Sequence, residues 1–184
     1  MSSTHTEAWT HLTEFVDEIM KSTGVPGLSL GVPLDGVPQS AGFSVTNAAH
    51  PLPVTADTFH QIGSITKTYT GTLALRLVEQ GRLDLDAPIR RYVPEFRVAD
   101  EAASEQVTVW HLMTHTGGWV GDLFADTSCG DDALPAYITK MAGLDQLAPV
   151  GTVWSYNNAG FGLYGHFVRT DWEIEEAMLQ LHVL

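Results

Sequence analysis

Gly63-Ser64-Ile65-Thr66-Lys67 holds the pair of side chains in this 184-residue sequence that is best suited to chemistry. On a helix, a Ser and a Lys three residues apart share one face, with Cβ atoms roughly 5 to 6 Å apart, so a small rotation brings amine to hydroxyl. A serine hydroxyl attacks a carbonyl only once a base removes its proton, and an amine whose pKa is pulled down by desolvation is such a base. The start of a helix adds partial positive charge that favours a developing oxyanion, to which the Ser64 backbone N–H is a candidate donor. Gly63 permits a tight approach to that turn. The bland alternative makes Ser64 an ordinary N-cap and Lys67 a solvated lysine.

The second feature is Tyr156-Asn157-Asn158, just before a helical stretch. Its phenol can transfer a proton, and the Asn158 amide can hold an acyl-amide group by two hydrogen bonds or, more simply, cap the helix. His111 and His115 have the spacing of two metal ligands, but no third ligand follows at a recognisable interval, so they read as hydrogen-bonded residues closing a helix onto Gly117-Gly118. His50 and His60 are isolated. Trp110, Trp119, Trp154 and Phe161 could line an apolar groove, although aromatics beside loops more often belong to the core. Asp131-Asp132 reads as a helix N-terminus.

These residues need elements to place them. Trp9, Leu12, Phe15, Val16, Ile19 and Met20 recur at helical spacing, and Gly24 follows as a stop. Segments 28–32 and 39–45 flank Pro33-Leu34-Asp35-Gly36 and predict a β-hairpin. A long helix is predicted from Ser64 to Gln80, stopped at Gly81. A turn and short helix follow over 84–92, with Asp86 as N-cap and Pro88 in the first turn. Thr108 should cap a helix to Met113, and further helices are predicted over 131–141, 159–168 and 172–184. The pattern is α+β with very few strands. A lone hairpin is marginal and asks for further strands or helix cover.

The chain carries 9 Lys+Arg against 22 Asp+Glu, a formal net charge of −13, which argues against binding a phosphate backbone. With 44% hydrophobic and 17% charged residues, it is composed to bury a core, which excludes disordered and fibrous classes. Cys129 is the single cysteine and can form neither an internal disulfide nor a thiolate metal knuckle. The first fifteen residues lack the charged and apolar regions of a signal peptide, and no apolar run of about 18 residues occurs, so a cytoplasmic protein without a membrane span is expected.

Taken together, the motifs resemble the serine β-lactamase and penicillin-recognising enzymes, in particular the class C branch with its esterase and D-aminopeptidase relatives. The resemblance runs from Gly24-Val25-Pro26-Gly27 through Phe59-His60-Gln61-Ile62-Gly63-Ser64-Ile65-Thr66-Lys67, Leu83-Asp84-Leu85-Asp86-Ala87-Pro88 and Leu112-Met113-Thr114-His115-Thr116-Gly117-Gly118 to Trp154-Ser155-Tyr156-Asn157-Asn158-Ala159-Gly160. It implies an antiparallel sheet with helices and a mostly helical subdomain. It also implies Ser64 as acyl-accepting nucleophile, Lys67 as base or proton relay, Tyr156 as acid/base partner and Asn158 as substrate-orienting amide. The implied partner is a small acyl substrate, namely a β-lactam, an ester or a D-amino-acid peptide, with no metal or organic cofactor and no nucleic acid.

Nothing here matches the family's third motif, Lys-Thr-Gly or His-x-Gly on a strand. The chain is therefore expected to correspond to an N-terminal portion (1–184) of the family domain, with the hairpin region at 1–58, the site-bearing helical region at 59–184 and the C-terminal strands absent. Without that strand's cation, Tyr156 is expected nearer the ordinary phenol pKa of about 10. Two alternatives to an active hydrolase remain: a truncated, catalytically silent remnant or binding module, and a half-site completed by another chain. Gly117 stands where relatives often carry Ser.

Overall fold

In the computed structural model, residues 3–171 are described, and the helix predicted over 172–184 lies outside them. The chain forms two compact units, 1–61 and 62–184.

In the first unit, α1 (Ser3–Thr23) is longer than its apolar periodicity suggested, and buries Val16 and Met20. Strands β1 (Gly27–Leu34) and β2 (Val37–Ser44) pair antiparallel, Gly27 opposite Ser44 and Leu34 opposite Val37. Asp35 and Gly36 connect them, both at positive φ (49° and 77°), the backbone that a two-residue hairpin turn requires. Pro33 and Pro38 face each other and cannot donate to the ladder, a substitution that an edge tolerates. Among the described residues this two-stranded pair is the whole sheet, extended by one bridge between Val45 and Pro53.

The second unit holds the main core. Helix α2 (Thr66–Glu79) begins after a 3₁₀ turn (Gly63–Ile65), so Ser64 lies in that turn and not on the first α-helical residue. Helix α2 packs on α6 (Asn158–Asp171), which also packs on α4 (Val109–Met113) and α5 (Ala133–Met141). Leu77, Ile89, Phe96, Leu112, Ile138 and Leu163 are fully buried between these elements.

Three local expectations change. Asp86 is not an N-cap: Asp84 Oδ1 accepts its N–H in a tight turn, and Pro88 caps a 3₁₀ turn, Ile89–Arg91. An extra helix, α3 (Glu101–Gln106), follows Asp100, whose Oδ1 accepts the Ala103 N–H. It is too short to show apolar periodicity, and the cap was its one readable signal. Finally, α5 starts at Ala133, two residues after the predicted start. At α4, the Thr108 N–H donates to His111 Nδ1 (3.1 Å) and the Thr108 side chain accepts the His111 backbone N–H, a reciprocal cap formed by a histidine.

Candidate active site

Ser64, Lys67, Tyr156 and Asn158 meet within the second unit. The spacing of Ser64 and Lys67 survives the change from α-helix to 3₁₀ turn, and Lys67 Nζ donates to Ser64 Oγ at 3.3 Å. Tyr156, 92 residues away, donates its hydroxyl proton to the same Oγ at 2.7 Å. Lys67 Nζ also donates to Asn158 Oδ1 at 2.8 Å and lies over the Tyr156 and Phe161 rings, 4.9 and 5.5 Å from their centroids. Ser64 is exposed, Lys67 half-buried and Tyr156 exposed on one side, so the oxygen that receives both contacts is open to a reactant.

The helix cap falls on the neighbour of the expected residue. Asn157, buried, accepts the Gly160 N–H at its Oδ1 (2.7 Å) and donates to the Trp119 carbonyl, so it caps α6. That frees the Asn158 amide, whose oxygen faces Lys67 and whose nitrogen donates to Asp122 Oδ1 at 2.7 Å. Asp122 carries no sequence signal that marks it, and it lies 36 residues from Asn158. It is placed by the 117–122 segment: Trp119 bridges Gln146, Val120 N–H donates to Asp145, and Gly121 accepts the Ala159 N–H.

Gly121 is a residue whose side-chain position is taken. A Cβ there would run into the Tyr156 carbonyl oxygen. Gly121→Ala should therefore push the 156–159 segment off Ser64 and lower reaction at Ser64 by about tenfold or more, since misplacement by about 1 Å can cost two orders of magnitude. Retention of wild-type reactivity in a folded Gly121→Ala chain would show that the contact relaxes without moving Tyr156.

His115 supports the same segment. Its carbonyl accepts the Ser155 N–H (2.9 Å), its Nδ1 accepts the Asn157 N–H (3.0 Å), and its ring lies 4.6 Å from that of Tyr156 and 5.0 Å from that of Phe161. It adopts a left-handed φ of 57°, uncommon for a residue with a side chain. His111 and His115 thus spend their Nδ1 atoms on the backbone, the hydrogen-bonded role expected of them. Trp119 belongs to the core, packed 5.8 Å from Phe96, whereas Trp110 and Trp154 are exposed.

Electrostatically, Tyr156 is perturbed by its neighbours. Its phenol lies below the ordinary value, because its hydrogen bond with Ser64 and the adjacent Lys67 favour the phenolate. Both histidines are held below the ordinary value of about 6.5, His111 by burial and His115 by burial and then by Lys67. The unfolded chain takes up these protons as pH falls through about 6.5 while the folded chain stays neutral, so stability is full above that pH and declines below it. Melting temperature followed by tryptophan fluorescence should fall just below pH 6.5, before carboxylates titrate, and His115→Gln should flatten the slope. A melting temperature constant across that window would refute the assignment.

Comparison with known proteins identifies the family. The beta-lactamase family matches residues 12–175. This chain belongs to the beta-lactamase family. It is 36% identical over 159 residues to a penicillin-binding protein 4 from Amycolatopsis lactamdurans, covering 86% of this chain and 42% of that one. Among solved structures it resembles a beta-lactamase/D-alanine carboxypeptidase from Pseudomonas syringae (TM-score 0.73, 29% identity, 93% of this chain and 47% of that one). It also resembles a class C beta lactamase from Rhodobacter sphaeroides (TM-score 0.64, 28% identity, 84% and 42%). The α+β, beta-lactamase-like fold and the class C likeness expected from the motifs therefore hold. The chain spans about two fifths of the length of the curated relatives it matches. Among the described residues no helix is long and apolar enough to cross a membrane, and no three His, Cys, Asp or Glu side chains converge as a metal site would need.

Proposed function

We propose that the chain carries the nucleophile and proton-transfer groups of a serine hydrolase that forms an acyl-enzyme at Ser64. The observation that carries this is one exposed serine oxygen within hydrogen-bond reach of both Lys67 Nζ (3.3 Å) and the Tyr156 hydroxyl (2.7 Å). Ser64 Oγ would attack the carbonyl carbon of a lactam, ester or D-amino-acid peptide and pass its proton to the Lys67–Tyr156 pair. The scissile C–N or C–O bond then breaks, and the pair returns the proton to the leaving nitrogen or oxygen. Water adds to the acyl group and gives a proton to the same pair; the acyl–Oγ bond then breaks, the acid leaves, and the pair returns that proton to Ser64 Oγ.

The 3₁₀ turn ahead of α2 puts this oxygen near a helix N-terminus, where negative charge on the tetrahedral intermediate is favoured. The names borne by its relatives, beta-lactamase, penicillin-binding protein and D-alanine carboxypeptidase, support the lactam and D-peptide classes. The reaction so written needs no metal or organic cofactor.

The deciding experiment is intact mass of the purified chain after exposure to a fluorophosphonate and, separately, to benzylpenicillin, followed by peptide mapping. A single adduct on Ser64 is expected from each. A persistent penicillin adduct would mark slow deacylation, and its disappearance with release of penicilloate would mark turnover. A folded chain that takes neither probe would overturn the proposal and favour a silent binding module.

A further inference from the structure

The geometry points to Asp122 as a specificity-determining residue, whose charge favours acyl groups that carry an ammonium over those that carry a carboxylate. This rests on the acyl-enzyme reading of Ser64. Asn158 spends its oxygen on Lys67 (2.8 Å) and one N–H on Asp122 Oδ1 (2.7 Å), which leaves one amide N–H for a bound acyl group. Asp122 is therefore next to the amide that would orient the acyl side of a substrate.

Orientation of Asn158 requires only an acceptor oxygen at position 122, and a neutral amide side chain would provide one. The carboxylate adds a negative charge that orientation does not use. Asp122 is exposed, and the ion pairs among the described residues leave it out. The cation in its hydrogen-bonded chain is Lys67, and the Asn158 amide stands between them. Lys140 is turned to the Asp126 carbonyl. The field of Asp122 reaches the reaction centre, since it opposes ionisation of Tyr156, and it does the same to Tyr137. The chain as a whole is also negative, with a net charge of −13.

Three penicillins separate charge from shape. Ampicillin, benzylpenicillin and carbenicillin share one frame and differ at the side-chain α-carbon, which bears an ammonium, a hydrogen or a carboxylate. Second-order rates of Ser64 adduct formation would be read by intact mass at a pH that keeps the α-amine protonated, with Ser64→Ala as control. In the native chain ampicillin should react fastest and carbenicillin slowest, each step being about fivefold, the upper range of an exposed charge pair. Asp122→Asn, which keeps an acceptor for Asn158, should bring the three rates together. Asp122→Ala should slow all three, because Asn158 loses its anchor as well.

High salt should compress the native ratios in the same way, a readout that needs no variant to fold. Equal rates in the native chain, or ratios that persist in a folded Asp122→Asn chain and in high salt, would overturn the inference and leave the acyl-enzyme reading standing. Absence of any Ser64-dependent adduct from all three penicillins would instead overturn that reading, and the inference with it.

Discussion

Ser64→Ala should abolish covalent labelling by fluorophosphonate and lactam, and Lys67→Met should slow labelling by about 10³-fold or more. The reason is that the two side chains act on one oxygen. Lys67 Nζ donates to Ser64 Oγ and to Asn158 Oδ1, so a methionine of similar length keeps the packing against Phe161 and removes both polar contacts. A labelling time course on the native, Ser64→Ala and Lys67→Met chains decides the matter. A native rate in Lys67→Met would remove Lys67 from the site, and labelling on another residue in Ser64→Ala would remove Ser64 from its centre.

Tyr156→Phe should lower the acylation rate by about 10²- to 10⁴-fold and change its dependence on pH. The phenol is held below its ordinary value of about 10 by its hydrogen bond with Ser64 and then by Lys67. Above that lowered value the phenolate accepts the Ser64 proton through the 2.7 Å contact; below it the phenol donates and the serine keeps its proton. The native rate should thus fall as pH drops through the Tyr156 pKa, and this limb should vanish in Tyr156→Phe. Because Asp122 opposes the phenolate, Asp122→Asn should move the limb to lower pH. A Tyr156→Phe chain that keeps both the rate and the limb would leave Lys67 as the sole proton acceptor.

What the residues alone determined is what short-range physics controls. The pairing of Ser64 with Lys67 was legible because a spacing of three residues fixes their shared face in an α-helix or a 3₁₀ turn alike. The hairpin was legible because Asp35-Gly36 tolerates two consecutive positive φ values, and the long helices because their apolar faces repeat. Membership of the family was legible in the motifs themselves.

Tertiary structure decided the rest, because those contacts join segments with no local rule to connect them. Which asparagine caps α6 depended on Trp119, whose carbonyl takes the buried Asn157 side chain and leaves Asn158 to the site. The Tyr156 pKa depended on a serine 92 residues away. Asp122 has no mark in the sequence, and the fold of 117–122 alongside 156–159 sets it 2.7 Å from Asn158; short α3 escaped notice because six residues hold too little periodicity to read. Chain order fixes which groups are available. Packing alone brings the 64–67, 117–122 and 156–159 segments close enough for a proton to cross and for a charge to be felt.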